Sequence, residues 1–262
     1  MSQPLQRNDL EETGWTYFHC SDNLAHLVDK AIEIAKAIFA LPEEQKLQCS
    51  SPETNYQSGW RKPEQIDRPT EVWHISHTDP PESWPVDFVP ERTTILELLD
   101  QSIKSVGPHL DEYAQNFGGV AGELYESLQR GISVIRLLYY SASDNTIRFS
   151  AHTDFGLASL FVAETSPGLE LKTRQGEWRL VNLERGKWIL AAGEMLAARS
   201  AGVIPPALHR VISTPEERFA IAIFLHPDRN YSLAKTSEGK ILTAGEFFDR
   251  LMGQIMASKN KE

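Results

Sequence analysis

Apolar residues recur every three or four positions at Leu24, Leu27, Val28, Ala31, Ile32, Ala35, Ile38 and Phe39, a stripe that predicts a helix with one buried face. Ser21 or Asp22 is placed to cap its start, and Leu41-Pro42 ends it. Pro42 followed by Glu43 and Glu44 predicts the first turn of a second, short helix, because proline suits the first helical position and acids suit the positive end. The period is lost over residues 54–90, where six prolines and isolated aromatics surround one strand-like run at 71–76; this reads as an ordered excursion over the surface. Helical spacing returns at 94–117, with a break expected at Gly107-Pro108, and at 122–128.

From residue 132 the texture changes to short runs with alternation or β-branched enrichment, at 132–140, 157–162, 169–173, 178–182, 188–191, 195–198, 208–213 and 218–224. Turn residues such as Ser166-Pro167-Gly168, Gln175-Gly176, Arg185-Gly186 and Pro205-Pro206 separate them. Short strands so spaced predict a sandwich or jelly roll, not βαβ units. A last helix is expected over 244–256, with Phe247, Leu251 and Ile255 on one face. There is no repeat and no low-complexity tract.

Length and composition narrow the class. The chain has 262 residues, enough for one large domain or two small ones. Hydrophobic and charged fractions of 41% and 24% exclude wholesale disorder. A net charge of −10 with no basic block argues against nucleic acid and against an anionic membrane surface as partners. The polar stretch 1–12 lacks the apolar core of a signal peptide and no run approaches a membrane span, so a soluble, cytoplasmic protein is expected. Cys20 and Cys49 lack the paired spacing of a zinc site and read as reduced thiols.

Chemistry concentrates at His152-Thr153-Asp154. Residues two apart at the end of a strand point to the same face, so an imidazole and a carboxylate stand side by side as ligands for a divalent metal. A third ligand comes from His209, on a later β run. Two histidines and one carboxylate on one face of an octahedron leave positions open, the arrangement that non-haem Fe(II) oxygenases use. Nine positions after His209, Arg218 opens the apolar run Arg218-Phe219-Ala220-Ile221-Ala222-Ile223-Phe224, where a guanidinium needs an anion; a dicarboxylate would satisfy it.

With these residues in view, the sequence resembles the Fe(II)- and 2-oxoglutarate-dependent dioxygenases of the isopenicillin N synthase-like group over most of its length. The resemblance is carried by Gly14-Trp15-Thr16-Tyr17-Phe18-His19, by Phe39, Leu41, Pro42, Glu44 and Lys46, by Tyr56 and Gly59, and by Glu71 ahead of a strand. Arg136-Leu137-Leu138-Tyr139-Tyr140, His152-Thr153-Asp154, Gly168-Leu169-Glu170, Gly193-Glu194 and His209-Arg210-Val211 follow in the family's order. It implies a double-stranded β-helix, a cupin-like jelly roll with flanking helices. One catalytic domain would span 1–262: a mostly helical part (1–130), the jelly-roll core (131–230) and a C-terminal helical segment (231–262). It further implies that His152, Asp154 and His209 bind Fe(II), that Arg218 grips the distal carboxylate of 2-oxoglutarate, and that Tyr140 assists. With dioxygen, hydroxylation, desaturation or cyclisation of a small molecule would follow, natural-product biosynthesis being the family-level expectation. Retention of Asp154 disfavours halogenation, for which family members replace this carboxylate by a small residue.

Some positions depart from the family. Its Arg-x-Ser reads Arg218-Phe219-Ala220, so a hydroxyl that shares the cosubstrate carboxylate is missing, and an asparagine two before the strand tyrosine is Leu138. Two other readings therefore stand beside the main one: an isopenicillin N synthase-like oxidase that uses no 2-oxoglutarate, and a non-catalytic jelly roll with a structural metal. For the substrate, Tyr56, Trp60, Arg61, Trp73 and Phe161 are candidate pocket residues, with core packing as the alternative for the aromatics. Arg148, four before His152, either meets a substrate carboxylate or pairs with an acid at the surface. His74 and His77 read as surface or supporting residues, and His226 as a residue near the mouth.

Overall fold

The computed structural model describes residues 7–51, 58–62, 70–143, 147–235 and 238–259. The N-terminal part runs α1 (Arg7–Thr13), β1 (Trp15–His19), α2 (Asp22–Phe39), α3 (Glu43–Leu47), β2 (Gly59–Arg61), β3 (Thr70–Ile75), α4 (Val89–Gln115) and α5 (Glu123–Arg130). The strands β4 (Val134–Tyr140), β5 (Ile147–His152), β6 (Ala158–Glu164), β7 (Leu169–Lys172), β8 (Trp178–Leu180) and β9 (Lys187–Ala192) follow. Then come α6 (Glu194–Arg199), β10 (His209–Ile212), β11 (Arg218–Leu225), the hairpin β12 (Ser232–Lys235) and β13 (Ile241–Thr243), and α7 (Ala244–Lys259). A seven-stranded sheet, β1-β9-β6-β11-β4-β3-β2, faces a four-stranded one, β5-β10-β7-β8, with antiparallel pairing in both: the expected jelly roll with flanking helices.

The large sheet is buried on both faces, which is why its strands read as nearly continuous apolar runs. Along β11, Phe219, Ile221 and Ile223 join the cluster that holds Ile38 and Phe39 of α2 and Leu98 and Leu99 of α4. The alternate residues Ala220 and Ala222 belong to a second cluster with Leu138, Tyr140 and Val211, on the side of the small sheet. Period two therefore splits each strand into a face that carries the fold and a face that carries the site.

Local signals explain the helices. Ser21 accepts a hydrogen bond from the Leu24 N–H at the start of α2, as a cap should. Lys46 of α3 is buried and donates to the Phe39 carbonyl at 2.9 Å and to Glu71 of β3 at 2.7 Å, and the indole of Trp60 donates to the same carboxylate oxygen. Glu71 thus ties β3 and β2 to the helical layer. Among the described residues no helix is long and apolar enough to cross a membrane.

Four expectations about elements are corrected. α4 runs unbroken through Pro108. One lost backbone hydrogen bond is outweighed by the burial of Val106 and Leu110 on either side and by Tyr125, whose ring packs on Gly107. The run 195–198 forms α6, not a strand: Gly193 precedes it, the N–H groups of Leu196 and Ala197 bond the Gly193 carbonyl, and Met, Leu and Ala are good helix formers. β5, the strand on which the His152 argument leaned, is missing from the apolar runs, because Ile147 and Phe149 are its only large apolar residues and both are exposed. The stretch 54–90 is not merely a surface excursion. Its β3 pairs with β4 along Thr70 to Ile75, and Trp60, Trp73 and Trp84 are buried. Long-range pairing and tryptophan burial there are invisible to local pattern.

Candidate active site

β5 and β10 are neighbours, and His152 stands directly opposite His209, with ring centroids 4.2 Å apart. The Nδ1 of His152 lies 2.8 Å from the Ser150 carbonyl, and that of His209 lies 3.0 Å from the Ala207 carbonyl. A carbonyl can only accept, so each Nδ1 carries the proton and each Nε2 presents its lone pair. Both Nε2 atoms face Asp154, at 3.7 Å from Oδ1 for His152 and 3.7 Å from Oδ2 for His209. The three ligand atoms lie within 4.8 Å of one another, so one divalent ion fits between them. Burial, helped by the neighbouring His209, pushes the His152 pKa down to about 4, against the pull of Asp154. The imidazole is therefore neutral at pH 7, the form that ligates a metal.

The loop carrying Asp154 is clamped by the start of α6. Glu194 N–H donates to the Asp154 carbonyl at 2.8 Å and Met195 N–H to the Gly156 carbonyl at 3.1 Å, while Thr153 donates to the Glu194 side chain at 2.6 Å. A Cβ on Gly193 would lie 2.1 Å from the Gly156 oxygen and 2.9 Å from that of Asp154, so only glycine permits this approach. Ser159 of β6 donates to Asp154 Oδ2 at 2.5 Å and fixes the carboxylate plane. Ser159 escaped sequence reasoning because nothing marks it in an apolar run.

Arg218 is 3% exposed at the start of β11. Its anion is internal: Nη2 donates to Glu164 Oε2 at 2.8 Å, and Nε to the Ser166 carbonyl at 3.0 Å. The anion that the apolar strand calls for is thus supplied, at least in part, by a buried acid on the neighbouring strand. Nη1, however, is buried without a hydrogen-bond partner, and the guanidinium carbon sits 4.8 Å from the Tyr140 ring centre. An orphaned donor beside a phenol leaves a place for one carboxylate.

Arg218, Tyr140 and the three candidate ligands line one cavity. Its apolar wall includes Leu138, Phe149, Phe161, Leu183, Val211 and Phe224. Of the substrate candidates, Phe161 is in place, its ring 5.1 Å from that of His209. Trp60 and Trp73 are not; they are buried and spend their indole N–H groups on Glu71 and the Ser83 carbonyl. Arg61 is exposed on β2 and is not among the residues that line the cavity. Arg148 is 2% exposed, not at the surface, and donates to Ser141 at 3.3 Å; an irregularity in the β5–β10 register accompanies Phe149, not Arg148, at the cavity wall. Tyr56 lies outside the described residues.

Sequence reasoning missed Arg136 as a wall residue. Its Nε lies 2.7 Å from Nε2 of His74, the residue opposite it on β3, and its guanidinium covers the Phe224 ring at 4.4 Å. His74 is therefore a buried support for Arg136, while His77 is exposed and meets Asp100 at 2.7 Å. The signal was available: Arg136, Leu138 and Tyr140 share one face of β4 by period two.

Burial also pushes the His226 pKa down to about 4. A histidine lowered from about 6.5 on folding leaves the unfolded chain holding more protons, so stability is full above about pH 6.5 and lost as pH falls toward 4. His226→Phe is expected to remove roughly 2 kcal/mol of that acid-side loss. Urea unfolding of both proteins at pH 7 and pH 4.5 measures it, and parallel curves would refute the buried neutral state.

Comparison with known proteins agrees with this geometry. Residues 131–227 match the family model of the 2OG-Fe(II) oxygenase superfamily. A 2-oxoglutarate-dependent dioxygenase, AOP3 of Arabidopsis thaliana, is 33% identical over 97 residues; the match covers 36% of this chain and only 24% of that protein's length. Homoarginine-6-hydroxylase 2-ODD-233 of Oryza sativa subsp. japonica is 24% identical over 81% of this chain and 74% of its own length. Among solved structures, a protein of Caulobacter crescentus assigned to the 2OG-Fe(II) oxygenase family superposes with a TM-score of 0.81 at 25% identity, covering 94% of this chain and 92% of that one.

Proposed function

We propose that the chain is a member of the 2OG-Fe(II) oxygenase superfamily, a non-haem Fe(II)- and 2-oxoglutarate-dependent dioxygenase that oxidises a C–H bond of a small molecule. The observation that carries this reading is that the His152–Asp154–His209 cluster and the orphaned Nη1 of Arg218 open into the same cavity. In hydroxylation, 2-oxoglutarate, dioxygen and R–H would yield succinate, carbon dioxide and R–OH. Bound Fe(II) supplies the capacity to activate dioxygen at the expense of the oxo acid. His152, Asp154 and His209 would hold the metal. Arg218 and Tyr140 fix the far carboxylate, and the apolar wall keeps water from the reacting centre.

Within the superfamily we assign the chain to the isopenicillin N synthase-like group on the order of its motifs, as one catalytic domain. Two free cysteines fit a reducing cytoplasm, and the acidic surface fits a free small molecule better than a nucleic acid. Anaerobic titration of the Fe(II)-loaded protein with 2-oxoglutarate should give a metal-to-ligand charge-transfer band, and oxygen should then release succinate. Absence of both would reject this reading in favour of an oxidase or a binding protein.

Arg136 gives the substrate a chemical handle. Its one hydrogen bond among the described residues is the His74 contact, and Arg136 lines the cavity that holds the candidate ligands. Small molecules with a carboxylate should stimulate 2-oxoglutarate consumption at least tenfold more than their methyl esters. Arg136→Leu should erase that preference while leaving 2-oxoglutarate binding within about twofold. A preference that survives the substitution would remove Arg136 from substrate binding.

A further inference from the structure

Arg218 sits in a cradle made by the end of β6 and the turn that follows it. Its Nη2 donates to Glu164 Oε2 at 2.8 Å and its Nε to the Ser166 carbonyl at 3.0 Å, with the same Glu164 oxygen 3.3 Å from Nε. The Gly168 N–H donates to that oxygen as well, at 3.2 Å. A Cβ on Gly168 would lie 3.0 Å from Nε and 3.2 Å from Cδ of Arg218, so the turn 165–168 packs directly against the arginine stem. These contacts engage Nε and Nη2 and leave Nη1, buried and without a partner, as the donor for a ligand.

The cradle is tied by backbone to both ends of the cosubstrate site. Thr165 N–H donates to the Phe219 carbonyl at 2.9 Å and its hydroxyl accepts from the Phe219 N–H at 3.0 Å, which fixes the turn to the strand that carries Arg218. The Ile212 N–H donates to the Gly168 carbonyl at 2.9 Å, and Ile212 ends the strand β10 that His209 begins. One strand therefore links the cradle to a candidate metal ligand. What backbone does not fix is the reach of the arginine side chain itself, a flexible stem whose planar head is held by Glu164 and the Ser166 carbonyl.

We propose that Glu164 is a positioning residue that, by holding Arg218 in one pose, sets the length of the oxo dicarboxylic acid the site accepts. The inference rests on the reading of Arg218 as the holder of the far carboxylate. An acid with one end at the metal and the other at Nη1 spans a fixed gap, and one methylene too many or too few misplaces an end. Without the Glu164 carboxylate the guanidinium loses its charged acceptor and can follow a longer chain. Selectivity for chain length then relaxes. Glu164→Gln keeps a side-chain oxygen to accept from Nη2, and so keeps the pose and the selectivity.

The test is calorimetric titration of the Mn(II)-loaded protein with 2-oxoglutarate and with 2-oxoadipate, which is one methylene longer. The two acids carry the same charge, so any effect of the Glu164 charge on anion binding cancels in the ratio of their Kd values. The wild-type protein should prefer 2-oxoglutarate by about tenfold or more. Glu164→Gln should keep that ratio within about threefold, and Glu164→Leu should bring it to within about threefold of one. Gly168→Ala changes no charge, and its Cβ crowds Nε and Cδ of Arg218; it should alter the ratio by at least about threefold and serves should Glu164→Leu not fold. A ratio near one in the wild type overturns the inference while leaving the oxygenase reading intact. So does an unchanged ratio in Glu164→Leu, or in Gly168→Ala where the first does not fold, and so does equal relaxation in Glu164→Gln and Glu164→Leu. Failure of the wild type to bind either acid overturns the inference and the reading of Arg218 together.

Discussion

His209→Ala is expected to lose metal and all turnover. Two ligands cannot hold Fe(II) against water and buffer as three do, and affinity should fall by more than about 100-fold, since disturbing even an outer partner of a ligand costs 10–100-fold. His209 is 4% exposed, and its ring also satisfies the Ala207 carbonyl. Removing it leaves that acceptor short by about 1 kcal/mol, too little to unfold the jelly roll. Metal analysis after gel filtration, succinate release and circular dichroism together separate loss of iron from loss of fold. Turnover at unchanged iron loading in this variant would sink the assignment of the ligand triad.

Arg218→Ala should fail twice, because the guanidinium has two partners. Losing a charge-assisted bond to the cosubstrate costs roughly 1.5–3 kcal/mol, which raises the 2-oxoglutarate requirement by about ten- to a hundredfold. Glu164 is then a buried carboxylate without its cation, and breaking such a pair on one side costs about 3–5 kcal/mol of stability. Combining Arg218→Met with Glu164→Leu removes the stranded charge. The double variant should recover most of the stability and none of the cosubstrate binding. Urea midpoints and 2-oxoglutarate titrations of the two single variants and the double variant form the cycle that separates the effects. Equal stability of Arg218→Ala and wild type would mean that the pair carries no such energy.

The contrast between Arg218 and Arg148 shows where local reading stops. Both are arginines in strands near the metal motif. For Arg218, an apolar strand of strict period two demanded an anion and placed the side chain on the inner face. The identity of the anion was not legible, because Glu164 is distant in sequence and meets Arg218 only through the pairing of β6 with β11. For Arg148 the sequence left a substrate carboxylate and a surface acid as alternatives, and a shift in the β5–β10 register put Phe149 at the cavity wall instead. Period two assigns a face only as far as the ladder stays regular. The aromatics of β2 and β3 failed for another reason: tryptophan suits a pocket and a core equally by composition, and only burial with a satisfied N–H distinguishes them.

The sequence by itself determined the flanking helices through their apolar period and caps, and the class of fold through short alternating strands. It also pointed to the metal chemistry, through two candidate ligands held two residues apart and a third on a later strand. These are features in which the physics is local, or in which a strand fixes direction. Only the tertiary structure decided that Glu164 faces Arg218, that Ser159 and the start of α6 hold Asp154, and that His74 backs Arg136 at the cavity wall. Each of these is a contact between strands or loops far apart in the chain, set by sheet register and by the need to satisfy buried charge.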